Sequence, residues 1–380
     1  MSFLFRAVLS LLLVTFTLAT SAPAQSFSVL YSFQNGPDGA SPDKGRLIGD
    51  GVGNLYGTTY AGGKFFQGTI FKLDAAGQET VLYHFKGARD GAGPIGSLVR
   101  DRSGNLYGTT SYAGNHNAGT IFQLSSNSTF RVLHAFDGAG DGGQPYAGMV
   151  LDQNGNFIGT TRCCGDHGNG TIFRITPTGQ YKVLYAFQGS PDGAQSTAGL
   201  VRDGAGNYYG TTSVGGLFGY GTVFVFDKNK NEKVLHDFTG FGDGIAPLSG
   251  VVLDGLGNLY GATSAGGSFN NGMMYVLDTA TGVESIYLTF GGTDGAYPVG
   301  DLIIDDAGTL YGTTANGGDF GQGLVFEVSS RLGFIVLHSF NSSDGYQPYA
   351  GLTRDHVGNL YGTTRFGGAD GSGVIYKIAP

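Results

Sequence analysis

An all-β ring of seven four-stranded blades, a β-propeller, is predicted for residues 25–380 on three observations. The first is a period. The phrase G-N-L-Y-G-T-T stands at 53–59, 104–110 and 358–364 and returns with small edits four more times. Its first glycine falls at Gly53, Gly104, Gly155, Gly206, Gly257, Gly308 and Gly358. The second is that each unit carries four short β-branched and aromatic runs divided by Gly, Asp, Asn and Pro, which is the pattern of strands and turns. Four strands in a unit of this length, repeated, are the signature of a propeller blade. The third is the offset of the ends. Val29–Phe33 reads as the last strand of a unit and Val374–Ile378 as the third, so joining the two completes a blade and leaves no open edge. A parallel β-helix would show shorter coils and no Asp-Gly hairpins, and a solenoid would want caps.

From the beginning of the chain, Met1–Thr17 carries one cation, Arg6, before the apolar run Ala7–Phe16, and Ala22-Pro23-Ala24 supplies small residues. This reads as a secretory signal cut near Ala24. The run is too short for a membrane span, and no later stretch is long and apolar enough to be one. The expectation is an exported, soluble, monomeric protein without an anchor.

In the second unit the four runs are Ser97–Arg100, Asn105–Thr110, Thr120–Leu124 and Arg131–Phe136, taken as strands A (innermost), B, C and D (outermost). Frequent glycine argues against helix, at about 1 kcal/mol each. Between A and B stands D-x-x-G-N, in which Asp bonds nearby backbone and Gly accepts positive φ. Strand alternation then puts the A–B and C–D turns at one end of the ring and the D–A and B–C loops at the other.

Composition narrows the function. The net charge is −8, and charged residues are 13% of the chain. Without a basic cluster to displace counterions, nucleic-acid binding is not expected. Two cysteines in an exported chain give no disulfide framework. No G-x-S-x-G, H-E-x-x-H or phosphate loop is present, and no cofactor is expected.

The unit G-N-L-Y-G-T-T-x-x-G-G followed by G-T-I-F resembles the GloVer repeat, named for Gloeobacter and Verrucomicrobium. This "choice-of-anchor" repeat of exported bacterial proteins covers all seven units. The resemblance implies a secreted or surface propeller and brings no catalytic residue set. The chain departs from the anchor pattern by ending inside a blade.

Candidate ligand contacts follow from the loop face. The aspartates of D-G-x-x-P (Asp38, Asp90, Asp141, Asp192, Asp243, Asp294, Asp344) form either an acidic ring or seven turn caps. In the B–C loops Phe65, Phe218, Phe269 and Phe320 recur at one place, held elsewhere by His116, His167 and Asp370. They either stack on sugars or pack between blades. Arg162 and Arg365 follow the Thr pair where other units have Tyr, Ser or Ala, a place from which they can meet an anion. The third loop holds Cys163, Cys164, Asp166 and His167. These residue types can bind metal, but adjacent cysteines lack the usual zinc spacing and also suit a vicinal disulfide or free thiols. Function is expected as non-enzymatic binding of an extracellular glycan or protein on the D–A/B–C face. The alternatives are a carbohydrate-active hydrolase or lyase, and a purely structural module.

Overall fold

The computed structural model describes residues 25–240 and 242–380. The expected leader, residues 1–24, lies outside them. Seven four-stranded antiparallel sheets are present. Blade 1 runs Ile48–Gly49, Leu55–Thr59, Thr69–Leu73 and Glu79–His84 from the inside outward. Blade 7 takes its outermost strand from the opposite end of the chain. Ser26–Ser32 pairs antiparallel with Val374–Ala379, from Ser26 opposite Ala379 to Ser32 opposite Val374, with one register shift between Val29 and Tyr31. The ring is therefore closed by backbone hydrogen bonds, and blade 7 keeps no vacant edge.

The innermost strands are shorter than expected. Of Ser97–Arg100 only Val99–Arg100 pairs as strand, because Gly96 and Ser97 turn to line the central channel. Strand B begins at Leu106 rather than Asn105, since Asn105 is engaged in the turn. Strand D is Phe130–Ala135. Phe136 leaves it, donates its N–H to Gly119 and is fully buried.

Most residues of the repeated phrase have a separate structural task. Asp50 Oδ1 accepts the backbone N–H groups of Val52 and Asn54, and Oδ2 accepts Asn54 Nδ2 and the Tyr56 hydroxyl. The intervening glycine has φ between +77° and +98° in all seven units, a region that costs a side-chain-bearing residue strain. Leu55 points into the core. A Cβ on Gly57 would stand 2.6 Å from Phe71 Cζ, so glycine is what lets the C-strand phenylalanine cross. The second threonine bonds across the sheet, Thr59 Oγ1 to Thr69 Oγ1 at 2.9 Å. Its equivalents in blades 2, 3 and 4 do the same.

The core is divided among the seven blade interfaces. Ile70, Phe85, Leu98, Leu106, Phe122 and Leu124, for example, join blades 1 and 2. Outer strands are stapled as well: Phe27 stacks on His338, Phe130 on Tyr83 and Tyr181 on His134. In three interfaces a glutamate (Glu79, Glu232, Glu284) holds the place of that aromatic residue.

Candidate functional site: the loop-side mouth of the ring

Residue by residue, the D-G-x-x-P aspartates prove to be turn latches. Asp38 accepts the Tyr31 hydroxyl and the Gln34 N–H. Asp90 holds Tyr83 and the Lys86 N–H in the same way, as Asp192 holds Tyr185 and the Gln188 N–H. In Asp141, Asp243 and Asp344 a histidine replaces the tyrosine: His134, His236 and His338 lie 2.8, 3.3 and 3.1 Å away. Burial pushes His134 down to about 4, so it is neutral. Asp294 accepts the Gly291 N–H. An acidic ring of free carboxylates is thus not formed. Six of the carboxylates tie their own D–A turn to a Tyr or His of their own outer strand, because a partly buried carboxylate is stable only with its lone pairs satisfied. Asp294, with Leu288 at that place, holds the turn alone.

The four loop phenylalanines go the other way. Phe65, Phe218, Phe269 and Phe320 are 41, 53, 64 and 60% exposed. They stand clear of the blade interfaces on the loop face.

Arg162 and Arg365 belong to the mouth of the central channel. The Arg162 guanidinium lies over the Tyr146 ring at 5.3 Å and reaches Gln144 Oε1 and Gln195 Oε1 at 3.4 and 3.3 Å. Arg365 lies over Tyr349 at 5.4 Å and Phe366 at 5.1 Å. Its Nε stands 3.7 Å from Asp43 Oδ2 and makes no hydrogen bond. Asp43 is only 7% exposed, and burial raises its carboxyl pKa against the pull of Arg365 and Lys44. Lys44, at the channel, has its amine pKa lowered by burial, opposed by Asp43 and Asp301. Tyr60 and Tyr112 add a ring pair 6.0 Å apart, and burial raises their hydroxyl pKa values. Two stacked guanidiniums, a lysine and several tyrosines therefore gather in blades 7, 1, 2 and 3. The equivalent places in blades 4 to 6 hold Thr197, Leu248 and Val299.

Just below this mouth the channel narrows to about 20 Å³, room for roughly one water, and it widens again to about 150 Å³ among the inner strands. One repeat place on its wall reads Arg46, Ser97, Gly148, Gly199, Gly250, Asp301, Gly351. Asp301 Oδ1 accepts the Gly250 N–H at 2.6 Å. On the loop face the central opening is accordingly shallow. Clefts of about 380, 290 and 370 Å³ open instead toward the A–B/C–D end.

Cys163 and Cys164 are free, with sulfurs 2.7 Å apart. Burial first, then Cys164, pushes the Cys163 thiol up to about 12. Among the described residues no group of three or more His, Cys, Asp or Glu side chains is placed to hold a metal ion, so Asp166 and His167 do not complete a site with the cysteines. Sequence reasoning missed Asp43, Lys44, Tyr146 and Tyr349. The signal was available in the residue after the D–A proline, which changes from unit to unit as the B–C loops do.

No curated protein matches the chain in sequence. Among solved structures, the extracellular domain of BT4673 from B. thetaiotaomicron is similar with a TM-score of 0.62 and 10% identity, over 93% of this chain and 40% of that one. An oligogalacturonate lyase in complex with manganese is similar with a TM-score of 0.56 and 12% identity, over 93% and 92% of the two chains. At such identities the likeness is one of fold. Among the described residues no helix is long and apolar enough to cross a membrane. A sequence profile of the Gloeobacter/Verrucomicrobia repeat matches residues 14–150, 126–309 and 203–380, and on that match, with seven blades built from the repeated unit, the chain belongs to the Gloeobacter/Verrucomicrobia repeat family.

Proposed function

We propose that the chain is an exported, non-enzymatic binding module whose loop-side mouth takes an acidic glycan. The observation that carries this reading is the pair of guanidiniums, Arg162 and Arg365, each laid over a tyrosine at one mouth. A guanidinium presents a planar fork that matches a carboxylate or sulfate, and neighbouring tyrosines supply rigid faces with a polar tip for a sugar ring. The exposed phenylalanines around the mouth extend the stacking surface for further sugar units. The aspartates add nothing here, being engaged in their turns.

The test is a glycan array of uronate-containing, sulfated and neutral oligosaccharides, followed by calorimetric titration of the hits. Uronate or sulfated glycans should bind, and the double variant Arg162→Gln/Arg365→Gln should weaken them at least about tenfold. Binding restricted to neutral glycans, or unaltered in the double variant, would remove the basis of this reading. Appearance of cleaved products in the same mixtures would replace it with the hydrolase or lyase alternative.

A further inference from the structure

The A–B phrase is broken in one blade. The tyrosine that bonds the turn aspartate occurs at Tyr56, Tyr107, Tyr209, Tyr260, Tyr311 and Tyr361, but blade 3 carries Ile158. The phenol it lacks has two cationic or polar neighbours elsewhere. On the same sheet, Gln123 Nε2 donates to the Tyr107 hydroxyl at 2.8 Å; in blade 3 the residue opposite Ile158 is Arg174. From the next blade, Arg100 lies over the Tyr56 ring and Arg354 over Tyr311, both at 5.8 Å; the equivalent residue facing blade 3 is Arg202.

Ile158 therefore leaves two guanidiniums converging on a vacated place. Neither is in an ion pair or a cation–π contact among the described residues; Arg202 meets the Tyr208 hydroxyl through its side chain, yet Nε of each arginine is buried without a hydrogen bond. Both line a cleft of about 290 Å³ between blades 3 and 4, at the A–B/C–D end. Its apolar wall is Ile158, Leu184 and Phe226, with Tyr208 beside them. Lys228 and Lys230 stand at the C–D turn of blade 4. The cleft also includes Asp152 and Asp227, but their carboxylates are taken up by Asn154 and Asn156, and by Asn229 and Asn231. Four cations against two engaged carboxylates make this a locally positive site on an acidic protein.

We propose that this cleft is a second binding site, for a small organic anion: a carboxylate or phosphate monoester carried on one ring-sized body. Two buried Nε–H donors without partners, on guanidiniums that face one cleft, call for an oxyanion acceptor. The apolar wall and a volume at the small end of the range for ligand pockets call for a compact body rather than a polymer.

The experiment is calorimetric titration of the full chain with benzoate, phenyl phosphate, galacturonate and inorganic phosphate. At least one ring-bearing anion should saturate, with inorganic phosphate weaker by about tenfold or more for want of the apolar contact. Arg174→Gln and Arg202→Gln should each weaken the ring-bearing anion at least about tenfold. Ile158→Tyr, which restores the repeat and fills the cleft, should abolish binding and raise the melting temperature. Arg162→Gln/Arg365→Gln at the other end should leave it unchanged, so this site and the glycan mouth fail or succeed separately. The proposal falls if no ring-bearing anion saturates, if the two arginine variants bind as the parent does, or if inorganic phosphate binds equally well.

Discussion

The two ends of the ring each place one aspartate per blade in a turn, yet they differ in what that turn leaves free. At the A–B end, Asp, Asn and Tyr close a five-residue turn on itself, and the arrangement recurs with little change. At the loop end, Asp ties the D–A turn to Tyr or His of the outer strand. The eight-residue B–C loop beside it pairs with the D–A turn near its start, Ala61 with Ala40 and the Gly63 N–H to Gly36, and leaves its tip around Phe65 exposed. Charge and aromatic surface accumulate there, at Arg162, Arg365 and the exposed phenylalanines. In a repeat protein the residue that recurs is holding the unit together, and the residue that departs is available for something else. Ile158 is the same lesson at the quieter end.

The largest test breaks both ends at once. Deleting residues 25–33 removes the outer strand of blade 7 together with Phe33, which is fully buried. The truncated chain should show no cooperative melting transition, because an opened ring exposes both a sheet edge and an interface core. A parent-like calorimetric transition would mean that closure is dispensable.

Next comes the loop-end latch. Asp192 is 4% exposed and accepts from Tyr185 and Gln188. Asp192→Ala should lower stability in urea by about 3 kcal/mol, the scale for stranding buried donors of a charged acceptor, while leaving glycan binding at the mouth intact. A stable variant that no longer binds would reverse the division of labour drawn above.

A smaller effect is expected at the other end. Gly104 has φ +82°, so Gly104→Ala should cost about 1 kcal/mol or more, measured by the shift in urea midpoint. A neutral result would mean that the phrase recurs for a reason other than turn geometry.

The smallest is a pH effect at an outer-strand interface. Burial first, then Asp192, raises the Glu232 pKa from 4.5 to about 8, and Oε1 has no hydrogen-bond partner. The unfolded chain releases this proton near pH 4.5, whereas the folded one keeps it until about 8, so folding opposes ionisation and stability falls across that window. Glu232→Gln should match the parent below pH 4.5, gain on it steadily up to about pH 8 and hold a constant lead above. Parallel stability curves across the range would show that the carboxyl is not held in its neutral form.

Much of this was legible because a repeat states each constraint seven times. The turn glycines, the Leu-Tyr-Gly-Thr-Thr strand and the pairing of the chain ends follow from local propensity and from the need to leave no edge. Those causes act within a unit or between neighbouring strands, and the period displays them. Strand ends were less legible, since whether Asn105 or Phe136 joins a ladder depends on the competing bonds each finds in the folded blade.

What only the tertiary structure decided is which side chains meet across units. The aspartates read as turn caps or as an acidic ring, and the contacts of Tyr31, Tyr83 and Tyr185 with them make them latches. The phenylalanines read more readily as interface wedges than as surface, and their exposure puts them on the surface. Arg162 finds Gln195, Arg365 finds Asp43, and Arg202 meets a place left empty by Ile158, each pair separated by at least 33 residues or a blade boundary. Sequence alone determined that there are seven blades and which turn and strand residues recur in each. Ring closure determined which departures from the repeat face one another, because it sets the distances between residues that no local rule connects.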